Sequence, residues 1–546
     1  MRPAATLPHL DLTMDDLTAL LARLRPTVGD DEYQILEALV ETFGYLTARL
    51  DDQTLTIEDL RLLLGRRTTE KTRRVLKGVQ GQTKPPRPAP PTTGTASSAP
   101  SEVPAAGHGR NGAAAYAGAR RVVVSYGTLN AGDPCPECGK GKVYVAPPRR
   151  LVRIVGQAPL AATVYDLEKL RCNLCGERFV ADPPAGVGPE KYDARAASMI
   201  ALLKYGNGMP FHRLAALQAN LEMPLPASTQ WEILAETASV LQPAFDELLL
   251  EAAQGEVLHN DDTSMRVLAL RREIDEAAKN ASDRTGIFTS GIVATRDEHR
   301  IALFFTGRQH AGENLATILA QRSPTAPAPI QMCDALARNV PKLPSGLAVI
   351  AANCLAHGRR QVVQVVTQFP DACQHILEAL GEVYGYDAEA ARRGLSPEAR
   401  LRWHQDRSGP VLRSLKDWMT AQFIKRRVEP NSSLGKAIRY LLRHWPKLTR
   451  FLEVAGAPID NNICERALKM AIRNRKNAYF YKTTNGAEVG DLLISLIHTC
   501  ELAGANPFAY LTALQQHAAV VATNASAWMP WNYRDAMPTR ASVESE

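Results

Sequence analysis

The chain has 546 residues, and this length predicts three or four structural units, because a single compact core does not grow so large. A composition of 45% hydrophobic, 22% charged and 6% aromatic residues is typical of a soluble globular protein and excludes a disordered or fibrous one. The net charge of +7 is modest, and no segment has the roughly 20 consecutive apolar residues of a membrane helix, so we expect a cytoplasmic protein that does not cross a membrane.

Residues 1–77 have the pattern of a helical segment. Apolar side chains recur there at alternating steps of three and four residues, with one polar interruption at Gln53: Leu36, Leu39, Phe43, Leu46, Leu50, Ile57, Leu60 and Leu64. This spacing predicts a coiled coil that joins copies of the chain into a homodimer or a larger homo-oligomer. A capping-box pattern at residues 56–59 would start a fresh helix, so an intramolecular hairpin is the alternative.

A basic run and a linker follow the heptads. The run between Arg61 and Arg87 includes Arg66 and Arg67, and it suits contact with DNA phosphates or a solvated helix face. Residues 78–119 consist mainly of Pro, Ala, Gly, Ser and Thr. Such a composition cannot bury enough apolar surface to offset the entropy of ordering, so we expect a disordered linker.

Four of the nine cysteines form two CxxC pairs within residues 120–184: Cys135, Cys138, Cys172 and Cys175. A glycine follows each pair and permits the tight turn that directs two sulfur atoms towards one ion. Two pairs complete a closed tetrahedron of thiolates around Zn²⁺, which leaves no open position for catalysis. The sequence therefore predicts a zinc ribbon with a structural ion.

Residues 185–255 are helical in pattern. Pro224 and Pro226 break the first helical stretch, and Ser228 is well placed as the N-cap of the next helix. Two helices joined by a short turn would form a helix-turn-helix that binds DNA. Plain packing of the two helices is the alternative.

From Val257 the pattern changes to apolar, often β-branched runs that predict strands. The runs are VLHNDDTSMRVLAL, GIFTSGIVAT, RIALFFTG, IQMCDAL and LAVIAANCLAH. The first three predict a meander, and the last two lie beside helical segments, so a multidomain α/β protein is indicated. Helical periodicity returns at about residues 358–458, the α/β domain spans residues 256–517, and residues 518–546 are predicted to be a poorly ordered tail.

Three acidic residues in this domain stand where a metal site can be built. Asp261 lies in a strand, and its neighbour Asp262 points to the opposite face of the sheet, so only one of them can reach a given ion. Asp334 ends the strand IQMC, and Glu465 lies on a helix that starts at Asp460 or Asn461. Such carboxylates suit Mg²⁺, and two ions about 4 Å apart can activate both oxygens of an in-line displacement at a phosphodiester.

Basic side chains near these acids are candidates for holding DNA phosphates. They are Arg359, Arg360, Arg466, Lys469, Arg473, Arg475 and Lys476. Cys354 and His357 lie one helical turn apart in CLAHGRR. Three interpretations are open: a phosphate contact, a general base, or a structural pair whose side chains satisfy each other.

Three segments together resemble the insertion-sequence-66 family of bacterial transposases. They are VLHNDDTSMRVL, CLAHGRRQ and the most specific one, IDNNICERALKMAIRNRKNAYFYKTTNGAEVGDLLISLIHTCELAGANPFAYL. The segments LRLLLGRRTTEK and LLKYGNGMPFHRL and the cysteine pairs are similar to the same family, so the resemblance runs from about residue 57 to 512. It implies a ribonuclease H-like core with the helical stretch as an insertion, and a DDE catalytic triad of Asp261, Asp334 and Glu465.

The resemblance implies a DNA transposase that binds the ends of a mobile element and performs cleavage and strand transfer with Mg²⁺, for which Mn²⁺ can substitute. It also implies association with the bacterial nucleoid and leaves room for small accessory proteins encoded by the element. One departure concerns the second acid, which is followed by Ala-Leu-Ala-Arg338 where the family has an aromatic-rich run. The alternative is therefore a catalytically inactive, zinc-containing DNA-binding or regulatory protein derived from a transposase.

Overall fold

The computed structural model describes residues 178–277 and 284–537 without a gap, residues 121–175 with interruptions, and residues 23, 25, 29, 33 and 36. The chain divides into two units, Met1–Lys84 and Pro85–Glu546. The heptads from Leu39 onwards, the basic pair Arg66 and Arg67 and the linker lie outside the described residues. The coiled coil and the disordered linker therefore stay predictions.

The first CxxC pair lies in a short hairpin turn. Pro134 and Lys142 form an antiparallel bridge, and the backbone N–H of Cys135 donates to the carbonyl of Gly141 at 2.7 Å. Backbone N–H groups of the turn, Lys140 first, hydrogen-bond the Cys138 sulfur and hold the pKa of this thiol below its usual range. The turn therefore favours the thiolate that a zinc ion binds.

A second hairpin frames the other CxxC pair. It consists of β1 (Lys169–Arg171) and β2 (Arg178–Val180), which pair antiparallel. Cys175 is described between the two strands, whereas Cys172 lies outside the described residues. The four-thiolate zinc site therefore stays a prediction.

Helices precede the main sheet, in the region where the sequence predicts them: α1 (Ala194–Ala201), α2 (Phe211–Asn220) and α3 (Ala227–Ala253). The expected N-cap is wrong, because α3 starts directly after Pro226 and Ser228 lies inside its first turn. The apolar faces of these helices enter the same hydrophobic core as the sheet. The longest of them, α3, spans 27 residues and packs against β4 and β5.

The main sheet has five strands in the order β5-β4-β3-β6-β7. Its strands are β3 (Val257–Ser264), β4 (Phe288–Arg296), β5 (His299–Gly307), β6 (Ile330–Cys333) and β7 (Ile350–Asn353). The first three form the predicted antiparallel meander, and β6 and β7 extend it as parallel strands. Parallel pairing of β3 and β6 places the carboxyl ends of both strands at one edge of the sheet.

Further helices surround the sheet: α4 (Leu268–Ala277), α5 (Ala311–Leu319), α6 (Leu355–Val363), α7 (Pro370–Arg392), α8 (Pro397–Ile424), α9 (Ser433–Leu448), α10 (Asn462–Ala478), α11 (Thr484–Leu502), α12 (Pro507–Gln516), α13 (Ala518–Thr523) and α14 (Tyr533–Ala536). Helices α6 to α9 occupy the region expected for the helical insertion, between β7 and α10. Helix α10 packs across β3 and β4, and α11 packs along β5.

The side chains of α11 cover the outer edge of β5. The hydroxyl groups of Ser495 and Thr499 accept hydrogen bonds from backbone N–H groups of Phe304 and Ala302, at 3.0 Å and 3.1 Å. These N–H groups have no strand on that side to pair with. The helix therefore satisfies an edge that would otherwise be open to pairing with another chain.

The expectation of a poorly ordered tail is wrong for residues 518–537. Trp528, Met529 and Tyr533 are at most 3% exposed, and the hydroxyl of Tyr510 donates to the carbonyl of Trp528 at 2.8 Å. The apolar side chains in this stretch fill a part of the core that the helices before it leave open. The pattern is too short to reveal this contribution from sequence alone.

None of the described helices is both long enough and apolar enough to cross a membrane.

Candidate active site

Two of the predicted acids meet beside the end of β6, level with the middle of β3. Asp261 lies on β3, and Asp334 directly follows β6. The side-chain amide of Asn339 donates to both carboxylates, at 2.6 Å to Asp334 and at 3.2 Å to Asp261. One amide therefore holds the two carboxylates in a fixed relation.

Asn339 is itself held from both sides. It is fully buried, and its backbone carbonyl accepts hydrogen bonds from the side chains of Asn260 and Gln331, at 2.7 Å each. These two bonds fix the backbone at Asn339, although the side-chain oxygens of Asn339 and Gln331 are buried without a hydrogen-bond partner. No sequence pattern indicates Asn339, because an asparagine five residues after an aspartate is not a motif.

The electrostatics of the pair favour a positive charge between the carboxylates. Burial first, and then the negative charge of Asp334, raise the pKa of Asp261 to about 6. Two neighbouring carboxylates that are shielded from water repel each other when both are ionised, and a cation between them removes this repulsion. Oxygen ligands of this kind are the ones that Mg²⁺ takes in proteins.

Asp262 faces the other side of the sheet. Its side chain is 1% exposed, and its carboxylate pairs with His310 Nδ1 at 2.9 Å and with the Arg338 guanidinium at 3.3 Å. The two aspartates are therefore engaged differently, since Asp261 faces Asp334 while Asp262 fastens β3 to α5 and to the turn after β6.

Glu465 is placed by the start of α10, and Asn461 anchors this start to β3. The Asn461 side chain donates to the carbonyl of Asn260 at 3.1 Å and meets His259 Nδ1 at 3.0 Å. Its backbone N–H donates to the sulfur of Cys354 at 3.2 Å. The helix therefore begins at a point that is tied to the strand carrying Asp261.

A glycine allows α10 to approach the sheet. Gly291 on β4 is the cross-strand partner of Asp261, and a Cβ atom at this position would lie 2.9 Å from Leu468 Cδ2. The thiol of Cys464 donates to the Gly291 carbonyl at 3.2 Å. The residue next to Glu465 is thus in contact with the strand beside Asp261.

The Glu465 carboxylate faces α6. Its Oε1 atom lies 3.6 Å from His357 Nδ1, and its Oε2 atom lies 3.7 Å from the Arg360 guanidinium. Both Glu465 Oε1 and His357 Nδ1 are buried atoms without a hydrogen-bond partner. His357 is therefore not the satisfied structural pair with Cys354 that was one of the sequence alternatives.

Cys354, His357 and Glu465 each bring a ligand atom to one place, and these atoms all lie within 4.8 Å of one another. In the part of the chain that the structure describes, no other group of three such side chains is this close. Asp261, Asp334 and Glu465 therefore do not form an equally tight group. A nitrogen, a sulfur and an oxygen together suit borderline ions such as Zn²⁺ better than Mg²⁺.

The predicted phosphate contacts divide into exposed and internal side chains. Arg473 and Arg475 bond internally, to the carbonyl of Gly206 and to Ser264 respectively, and Arg359 is only 6% exposed. The exposed or half-exposed members are Arg360, Arg466, Lys469 and Lys476. Among the predicted contacts that the structure describes, only this second group is freely accessible from solvent.

Comparison with known proteins gives this geometry a family. The transposase IS66 family matches residues 191–489, a range that includes Asp261, Asp334 and Glu465. The chain belongs to the transposase IS66 family. The match also includes every helix from α1 to α10 and the five strands of the main sheet.

Three relatives come from Sinorhizobium fredii, and each is described as an uncharacterized protein. The chain is 29% identical to y4jD over 358 residues, which are 62% of this chain and 65% of that protein. It is 27% identical to y4qI, over 62% of each chain, and 25% identical to y4hP, over 68% of this chain and 67% of that protein. The chain thus covers slightly less than two thirds of the first two relatives.

Proposed function

We propose that this IS66 family protein is an active DNA transposase that cleaves DNA at the ends of a mobile element and joins the freed strand to target DNA. The sheet supports a ribonuclease H-like core for this activity, since an antiparallel meander is extended by two parallel strands. Asp261, Asp334 and Glu465 are the proposed catalytic acids. Double-stranded DNA is the proposed partner of the exposed basic side chains.

The observation that carries the proposal is the pair of the partly buried Asp261 on β3 and the buried Asp334 after β6, which Asn339 holds together. The oxygen ligands of this pair fit Mg²⁺ or Mn²⁺. An ion held by these carboxylates would supply positive charge to the attacking and leaving oxygens of a phosphodiester. The chain itself fixes the two carboxylates, and it keeps their negative charge out of bulk water.

Other residues are proposed to orient this site and the DNA. Asn461 and Gly291 set the position of α10 and hence of Glu465. Arg360 and Lys469 flank Glu465 on α6 and α10, and they would hold phosphate groups there. The zinc ribbon, with a structural ion, is proposed to contribute to recognition of the element ends.

Cleavage of element-end DNA tests the proposal. Asp261→Asn and Glu465→Gln should each abolish Mg²⁺-dependent cleavage while DNA binding persists, because the change removes a ligand charge and preserves the shape. Calcium should support binding without cleavage. Asp262→Asn is the matched control. It should remain active in Mg²⁺, and any loss of cleavage should be no larger than the loss of folded protein. If Asp261→Asn were active and Asp262→Asn inactive, the catalytic aspartate would be Asp262, and the proposed assignment would be wrong by one residue.

One observation favours a second function, a DNA-binding regulator without catalysis. Glu465 is grouped with Cys354 and His357 and not with the two aspartates. A regulator would bind element ends and never cleave them with Mg²⁺ or Mn²⁺. The same cleavage assay on the unmodified protein therefore separates the two functions.

A further inference from the structure

We propose that helix α9 is a DNA-binding surface that guides the duplex to the candidate active site. This surface is the α9 stripe, defined as Lys436, Arg439, Arg443 and Lys447. It was not among the basic residues singled out from the sequence. The proposal rests on the proposed function and adds the place where the DNA substrate lies.

The four side chains of the α9 stripe are exposed and lie along one face of the helix. They are spaced by three, four and four residues, so they fall within about 80° of arc at 100° per residue. The buried side chains of α9, among them Leu441 and Trp445, lie on the opposite face and enter the core. The stripe therefore faces solvent, because the opposite face of α9 is buried in the core.

The charge of α9 is unbalanced. No acidic residue occurs between Ser433 and Leu448, and in the described part of the chain none of the four stripe cations forms an ion pair. Helix α8 differs, since its sequence interleaves Glu398, Asp406 and Asp417 with its own cations. A solvated surface helix usually mixes both signs, whereas a polyanion-binding helix carries one.

Together with burial, the positive charge of the stripe lowers the pKa of the neighbouring His444. Burial first, and then the charges of Arg443 and Lys447, hold the pKa of His444 below its usual range. The ring of His444 lies 4.8 Å from the ring of Tyr440. Both rings lie on the flank of α9 between the stripe and the buried face.

This flank adjoins the candidate active site. Helix α9 packs against α6 and β7, and the backbone of Ala335, next to Asp334, contacts the Tyr440 hydroxyl. Strand β7 is the neighbour of β6 in the sheet, and Asp334 directly follows β6. A duplex that lies along the stripe would therefore have the Asp334 carboxylate at its side.

The dimensions fit a nucleic acid backbone. At 1.5 Å per residue, Lys436 and Lys447 are about 16 Å apart along the axis, with a cation every 5 to 6 Å or so. A duplex presents negative charge along its whole length, and each phosphate that a cation neutralises releases counterions. The stripe thus offers several phosphate contacts without reading a base sequence.

The salt dependence of binding tests the proposal on the full-length protein in Ca²⁺ buffer. The probes are a short duplex with the element-end sequence and a scrambled duplex of equal length. Lys436→Gln/Arg443→Gln should lower the slope of log K against log salt by about two, since each lost phosphate contact removes about 0.9. Affinity at low salt should fall by about tenfold for both duplexes alike. The complementary pair Arg439→Gln/Lys447→Gln should behave in the same way.

The matched control is Arg402→Gln/Lys416→Gln on α8, which removes two exposed cations outside the stripe. This control should leave the slope close to that of the unmodified protein. An equal decrease in the control and the stripe variants would overturn the proposal, because net charge would then explain the effect. Unchanged binding in both stripe variants, with an unchanged thermal unfolding temperature, would also overturn it.

The outcome is separable from that of the proposed function. Binding in Ca²⁺ does not require cleavage, so a stripe that binds DNA in a protein that never cleaves would refute only the transposase activity. Conversely, cleavage that is normal in both stripe variants at every salt concentration would refute only the stripe. Cleavage that declines in parallel with binding supports both.

Discussion

Asp491 is buried on α11, where this helix covers the edge strand β5. Its carboxylate accepts hydrogen bonds from the backbone N–H and the hydroxyl of Thr306. Burial nevertheless raises its pKa to about 7, so desolvation outweighs the two hydrogen bonds. In the unfolded chain the same group ionises near pH 3.8.

We expect Asp491→Asn to stabilise the protein at pH 8 and to have little effect at pH 4. The folded state keeps the Asp491 proton up to about pH 7, whereas the unfolded chain releases it near pH 3.8. The contribution of Asp491 to stability is therefore complete below pH 3.8 and is lost as the pH rises to about 7. The amide oxygen of asparagine still accepts from the Thr306 N–H, and its nitrogen donates to the Thr306 hydroxyl, so two hydrogen bonds form without the charge. The gain in the free energy of unfolding above pH 7 is at most about 4 kcal/mol. Thermal unfolding from pH 4 to pH 8 measures it, with Asp406→Asn, a substitution of an exposed aspartate on α8, as the control. A stability difference that does not depend on pH would contradict this assignment.

His357 provides the second prediction at the residue scale. Zn²⁺ should inhibit Mg²⁺-dependent cleavage, because Cys354 and His357 can hold a borderline ion on Glu465. His357→Gln should raise the inhibitory Zn²⁺ concentration by about tenfold, since one of the ligands is lost. His498→Gln is the control, because His498 pairs with Glu501 at 2.8 Å without a third ligand nearby. Equal sensitivity of all three proteins to Zn²⁺ would show that the ion acts elsewhere.

At the scale of elements, the contact of α10 with the sheet decides where Glu465 lies. Gly291→Ala should lower the free energy of unfolding by about 1–3 kcal/mol, because the added Cβ meets Leu468 and forces the helix outwards. Cleavage should fall more than DNA binding, since Glu465 moves with α10. Gly307→Ala is the matched control on β5, where a Cβ has no atom within 4 Å. If the two variants lost activity equally, close packing at Gly291 would not position the acid.

At the scale of the whole molecule, recognition and chemistry are predicted to reside in different segments. Cys138→Ser should release zinc from the ribbon and weaken the preference for element ends over scrambled DNA. Salt-sensitive binding should remain, because the exposed cations of α9 and α10 are unchanged. Binding of both duplexes at two salt concentrations, together with the zinc content, measures this. A variant that retains full discrimination would make the ribbon a scaffold, with recognition elsewhere.

The sequence by itself determined the local placement of the catalytic candidates. The strand around Asp261, the strand end at Asp334 and the helix start before Glu465 all follow from short-range patterns, and the structure confirms these elements. Alternation of apolar residues, a break in a strand and a polar N-cap are properties of a few neighbouring residues. The meander of β3, β4 and β5 could be predicted for the same reason, and so could the family.

Only the tertiary structure decided which side chains meet. Asn339 joins Asp261 across 78 residues of sequence, and His357 faces Glu465 across more than a hundred. The burial of Arg359, the order of the parallel strands and the packing of Trp528 likewise depend on how distant segments pack together. Periodicity indicates which face of an element is buried, but it does not identify the partner of that face. The partner is set by the shape and charge of both elements, and these contacts become defined only when the distant segments have packed together.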